Sequence, residues 1–256
     1  MSVLARRLLI VMVAALTVGT VAFIVQPPVL VALWPFAETT PLTFIFVASI
    51  LAAGAASISW CVIADEPAGL VGVAIDAIAI FGSMTIFTLV AGVTRGDERL
   101  ALAAVPAGVA VIIGVALFMW SRRFPIRDTR PVPRLALGSI ALFMLALLIA
   151  GPLLIAGTPN FLPWSVTRDL SAMVGLFFIG AASYFAYGVI RPSMGNALGQ
   201  LAGFLAYDLV LIVPFLVRLP TISDELRPNL IVYIAVVTYS GLVAVAFLFP
   251  RSRATA

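Results

Sequence analysis

Along this chain the hydrophobic positions neither alternate with polar ones nor trace a narrow amphipathic stripe. They come in long, nearly unbroken blocks. Eight blocks can be marked, at roughly 8–27, 42–63, 68–92, 99–120, 135–156, 170–190, 194–217 and 229–249. A helix of about twenty apolar residues rises about 30 Å, the thickness of a bilayer's hydrocarbon core. A membrane barrel would show shorter, alternating segments instead. The pattern predicts an all-α fold, a polytopic transmembrane helical bundle of eight spans.

Punctuation between the blocks agrees. Thr40-Pro41 reads as an N-cap followed by Pro at the first helical position. Asp65-Glu66-Pro67 reads the same way for the third span, with acids at the positive end of the helix dipole. Thr167 precedes the sixth span, and Arg191-Pro192 separates the sixth from the seventh. The first block follows Arg6 and Arg7 and runs on past the only stretch resembling a cleavage site, Thr20-Val21-Ala22, so it is expected to stay as an uncleaved first span.

Four spans fall in 1–121 and four in 135–256, joined by a basic linker at 122–134. "GAASISWCVI", from Gly54, can be set against "GAASYFAYGV", from Gly180, and a one-residue slip then aligns Gly72 with Gly199. Such matches also arise by chance in a chain rich in Ala and Gly. A tandem duplication of two four-helix halves, parallel because four is even, is one reading of them.

Composition sharpens the class. The chain of 256 residues is 63% hydrophobic and 10% charged, far from the balance of a soluble domain. All its basic residues are Arg, with no Lys and no His. That excludes a lysine Schiff base and removes the usual haem ligand, zinc ligand and general base. Cys61 is alone, so no intrachain disulfide or CxxC site can form. No cofactor and no metal site is expected.

The net charge of +4 is not a nucleic-acid signal, because the arginines lie at the span ends. With the N-terminus inside, Arg6, Arg7, Arg122, Arg123, Arg127, Arg130, Arg134, Arg191, Arg251 and Arg253 are cytoplasmic. Arg95, Arg99, Arg168, Arg218 and Arg227 are external. Ten against five favours both termini in the cytoplasm, and the inner (plasma) membrane is the expected location. The basic stretch "SRRFPIRDTRPVPR" is a topology anchor on one reading, and a docking site for acidic lipid or a partner on the other.

Two spans carry a deep acid. In the seventh, Gly195, Gly199 and Gly203 recur at the spacing that lets a neighbouring helix approach closely. Asn196, Gln200 and Tyr207 fall on another stripe, and Asp208 lies nearly opposite the glycines. In the third, Asp76 shares a narrow stripe with Gly69, Gly72 and Ser83. An ionisable group at this depth costs on the order of 3 kcal/mol on insertion scales and marks a functional site by default. The alternative is a partly polar packing seam. Depth separates the two acids as repeat mates: they lie nine and sixteen residues into their helices, counted from Pro67 and Pro192.

Tyr207-Asp208 matches one half of the pair used by intramembrane aspartyl proteases, but no GxGD follows it. P-loop, GxSxG, HExxH and dinucleotide fingerprints are likewise missing, so no enzyme is expected. Trp34 and Trp164, each beside Pro in an external loop, read as an aromatic belt or as parts of an outer binding surface.

Two functions remain open. One is a small-solute permease or ion- or proton-coupled carrier, with Asp208 and Asp76 binding the ion and Gln200, Asn196, Tyr207 and Ser83 lining the path. The other is a non-catalytic integral subunit or assembly factor of a larger membrane complex. The partners expected are the lipid bilayer, and either other membrane subunits or a second copy in a homodimer.

Overall fold

The computed structural model describes residues 1–249. In chain order the helices are α1 Val3–Val25, the short α2 Pro28–Leu33, α3 Pro41–Ile63, α4 Leu70–Arg95, the short α5 Glu98–Leu102, α6 Ala104–Ser121, α7 Arg134–Ile155, α8 Arg168–Ile190, α9 Met194–Arg218 and α10 Arg227–Leu248. A 3₁₀ turn, Pro67–Gly69, leads into α4. Eight helical stretches are long and apolar enough to cross a membrane, and the fold is an all-α bundle. The fourth block alone is interrupted: α5 is capped by Asp97, whose carboxylate accepts the Leu100 N–H at 3.0 Å, and the chain re-enters helix at Ala104. Arg251 and Arg253, two of the arginines assigned to the cytoplasmic side, and the C-terminus lie outside the described residues.

At the start of α8 the Thr167 hydroxyl accepts the Leu170 N–H. Pro41 opens α3 after Thr40 as expected, but the Thr40 hydroxyl caps no backbone N–H and lies 3.1 Å from the Thr43 hydroxyl instead. Asp65-Glu66 does something else. The Glu66 carboxylate makes no bond to its own helix and instead accepts the backbone N–H groups of Arg127 (3.1 and 2.9 Å) and Asp128 (2.9 Å). Asp65 pairs with the Arg127 guanidinium. These acids serve the basic linker because its backbone donors, having no sheet or helix of their own, need buried acceptors. Glu66 is only 3% exposed.

Those bonds tie together one end of the bundle, the basic end. The linker also accepts the Met194 and Gly195 N–H groups at the start of α9, through the carbonyls of Arg130 and Asp128. At the opposite end, Arg95 closing α4 bonds Asp169 opening α8 at 3.0 Å, and Asn229 of α10 donates to the Asn160 carbonyl. Successive long helices therefore run antiparallel.

The packing follows a regular scheme. Within the first half α1 packs on α3 and α4 on α6; within the second α7 packs on α8 and α9 on α10. Two further pairs join the halves, α3 with α9 and α4 with α8. Exchanging the halves, first long helix for fifth and so on, leaves every one of these six pairings in place. The counterparts α3 and α8 are the two most buried long helices, while α1 and α6 are the most exposed.

Close contacts explain the small residues. A methyl at Gly203 of α9 would lie 2.6 Å from Ser57 Oγ on α3, and Ser57 donates to the Gly199 carbonyl at 2.9 Å. A methyl at Gly195 would meet Glu66 Oε2 at 2.9 Å. The glycine seam of α9 thus faces α3 and the turn that follows it.

Candidate functional site

Six helices, α3, α4, α7, α8, α9 and α10, enclose a cavity of about 440 Å³, with Phe161 from the α7–α8 connection. That volume lies within the usual range of small-molecule sites. Its wall is largely apolar, and aromatic rings from five elements contribute: Phe143; Phe161; Phe178, Tyr184 and Phe185; Phe204 and Tyr207; and Tyr233. The polar groups are few. They are Asp76 of α4, Asp208, Gln200 and Tyr207 of α9, Tyr184 of α8, Tyr233 and Ser240 of α10, and Ser57 of α3.

Asp208 is 4% exposed and turned away from the glycine seam, toward α10. The Ser240 hydroxyl lies 2.9 and 2.8 Å from its two carboxylate oxygens, and also 2.9 Å from the Val236 carbonyl. One hydroxyl hydrogen cannot serve three acceptors. If Asp208 carries a proton, it donates to Ser240 Oγ while Ser240 donates to Val236, and each hydrogen has an acceptor. If Asp208 is ionised, a buried carboxylate receives a single hydrogen bond and no cation. Every salt bridge among the described residues lies at an end of the bundle, none at Asp208 or Asp76. The hydrogen bonding therefore fits the neutral acid at rest.

Asp76 reaches the same cavity from α4, and its Oδ1 has no hydrogen-bond partner. The Tyr184 hydroxyl and Gln200 Oε1, also in the wall, are likewise buried and unpaired. Gln200 is held by its other end: Nε2 donates to the Tyr184 carbonyl at 2.7 Å, over Gly188, where a side chain would collide with the amide. Three unpaired polar atoms from three helices around one space are uncommon in a folded interior.

Two residues expected on this path sit elsewhere. The Ser83 hydroxyl turns back on its own helix, to the carbonyls of Ala79 and Ile80. Its residue borders a separate hollow toward the opposite end, with Arg95, Arg168 and Asp169. Seven residues of helix, about 10 Å, carry it past the cavity that holds Asp76. Asn196 lies too near the basic end, where its Nδ2 donates to the Arg191 carbonyl at 2.8 Å and closes α8. Both are on the right helices at the wrong height.

The tryptophans also divide. Trp34 is half-buried, with Nε1 donating to Thr39 at 2.8 Å. Trp164 is not a belt residue at all: it is 2% exposed, donates to Thr43 of α3 at 3.0 Å and packs on Phe46, Phe215 and Tyr233. Burial of a large ring whose N–H finds a partner outweighs the interfacial preference of tryptophan. Through Tyr233, Trp164 packs against the cavity wall from the side of the opposite end.

Ser240, Tyr184 and Ser57 belong to the site and carry no sequence signal beyond being polar residues in apolar runs. Comparison of the chain with known protein families, with curated proteins and with solved structures returns no match. The chain is an integral membrane protein by its eight apolar helices.

Proposed function

We propose that this protein is a small-solute permease, an ion- or proton-coupled carrier whose binding site is the cavity between the halves. One observation carries the reading: two acids from different helices, Asp76 and Asp208, line one cavity within the bundle, and neither is paired with an arginine among the described residues. Keeping carboxyl groups there is unfavourable unless they act. Asp208, buried against Ser240, is the proton carrier, and Asp76, from the facing helix α4, is the second ligand for the solute or ion. The protein sits in the plasma membrane with the basic end in the cytoplasm, a side supported by the excess of arginine there.

The test is flux through purified protein in proteoliposomes under an imposed pH gradient, with a panel of labelled small solutes and an entrapped pH dye. Wild type should move solute with protons, and Asp208→Asn should abolish the pH-driven component while the protein stays folded. If wild type moves nothing and comes out of mild detergent with stoichiometric partner chains, the protein is an integral subunit of a larger complex.

A further inference from the structure

The wall of the cavity narrows the class of solute, on the assumption that the carrier reading holds. Its charge is of one sign: among the described residues that line it there are two carboxyl groups and no arginine. The chain has no lysine or histidine to offer instead. Around those acids stand eight aromatic side chains, whose faces attract a cation and whose bodies cover apolar surface. Asp76, Tyr184 and Gln200 line the same space, and each has a buried oxygen with no hydrogen-bond partner in the protein.

The cavity also has a side window. Ile149 of α7 and Val232 of α10 line it, yet are 64% and 58% exposed on the outer face of the bundle. Here α7 and α10 touch only lightly. They are joined by one hydrogen bond, Ser139 to Tyr239 at 2.8 Å, nearer the basic end. In a bilayer this gap faces lipid tails, so a molecule can reach the acids from the membrane without crossing water.

We propose that the cavity binds an organic cation with an apolar body, such as a quaternary or protonated amine, entering from the membrane between α7 and α10. The aromatic wall takes the body, and Asp208 and Asp76 take the charge. Arrival of the cation displaces the proton of Asp208 to the solvent, so charge in the cavity is conserved. The other titratable groups facing that space are Asp76 of α4, Tyr184 of α8, Tyr207 of α9 and Tyr233 of α10; α3 and α7 contribute none. Binding therefore tightens as pH rises.

The experiment uses labelled tetraphenylphosphonium on the purified full chain, with tetraphenylborate as an anion of the same shape and triphenylphosphine oxide as a neutral relative. Wild type should bind the phosphonium saturably, more tightly at higher pH, and neither competitor should displace it. Asp208→Asn and Asp76→Asn should each weaken binding by about tenfold or more, and Val232→Trp should slow association through the window. The wild-type contrast between cation and anion holds even if a variant fails to fold. No saturable binding, or equal binding of the borate, overturns the proposal. Flux of a hydrophilic solute without phosphonium binding sinks this inference and keeps the carrier. Phosphonium binding without any flux does the reverse.

Discussion

Ser240 on α10 holds both carboxylate oxygens of Asp208 on α9, at 2.9 and 2.8 Å, and passes its own hydrogen toward the Val236 carbonyl at 2.9 Å. Asparagine reproduces the protonated acid in this chain, with its amide N–H in place of the carboxyl O–H. Asp208→Asn should therefore leave the melting temperature nearly unchanged. Ser240→Ala should lower stability by about 1–3 kcal/mol, since it strands a buried polar group. Thermal melts of the two purified variants decide the matter; a larger loss from Asp208→Asn than from Ser240→Ala would mean the acid is charged at rest.

Glu66 gathers the backbone of the basic linker from beneath. An amide in its place presents N–H groups to donors, so Glu66→Gln should cost about 1–3 kcal/mol and release the linker. Limited trypsin digestion gives the readout, because Arg127 lies in that segment and is followed by Asp128, whereas the Arg130-Pro131 bond is not a trypsin site. Wild type should resist cleavage after Arg127, and the variant should be cut there faster.

Asp65 supplies a pH-dependent part of the same clasp. The Arg127 guanidinium hydrogen-bonded to it holds its carboxyl below the usual range. A carboxyl lowered on folding stabilises above its unfolded pKa of about 3.9, and that contribution fades as pH falls through the lowered value. The pair is exposed, so its effect is small and screened by salt. The melting-temperature difference between wild type and Asp65→Asn should accordingly begin to shrink as pH falls below about 4, and shrink at neutral pH in high salt.

The glycines of the α9 seam are unequal. A methyl at Gly203 meets Ser57 Oγ at 2.6 Å and the Ala53 carbonyl at 3.3 Å, and moving Ser57 breaks its bond to Gly199. A methyl at Gly199 finds its nearest neighbour at 3.6 Å, an ordinary contact. Gly203→Ala should destabilise by about 1–3 kcal/mol, whereas Gly199→Ala should be neutral or slightly stabilising through helix propensity. Equal melting temperatures would refute this account of the seam.

Span number and fold class were legible in the sequence because the bilayer imposes length and apolarity on each helix separately. The angular count on α9 was informative for the same reason: one helix suffices to place Asp208 away from the glycines. Pairings between helices were not legible. Ser240 lies 32 residues from Asp208 and looks like any serine in an apolar run. Height was the other weak point. Ser83 and Asn196 share helices with the acids but lie above and below the cavity, because a stripe records direction around an axis and not which neighbour stands at each level. Trp164 and Glu66 were misplaced by local rules for belts and caps, both overridden by tertiary burial.

The exchange-invariant packing of the eight long helices has a directional consequence. Because corresponding helices run the same way, swapping the halves carries each end of the bundle onto itself. Two halves trading shapes would leave the central space open toward the same end as before. Exchange of the halves relates neither end to the other, so access at each end is set by its own contacts: the linker clasped by Glu66 at the basic end, and Trp164 packed on Tyr233 toward the opposite one.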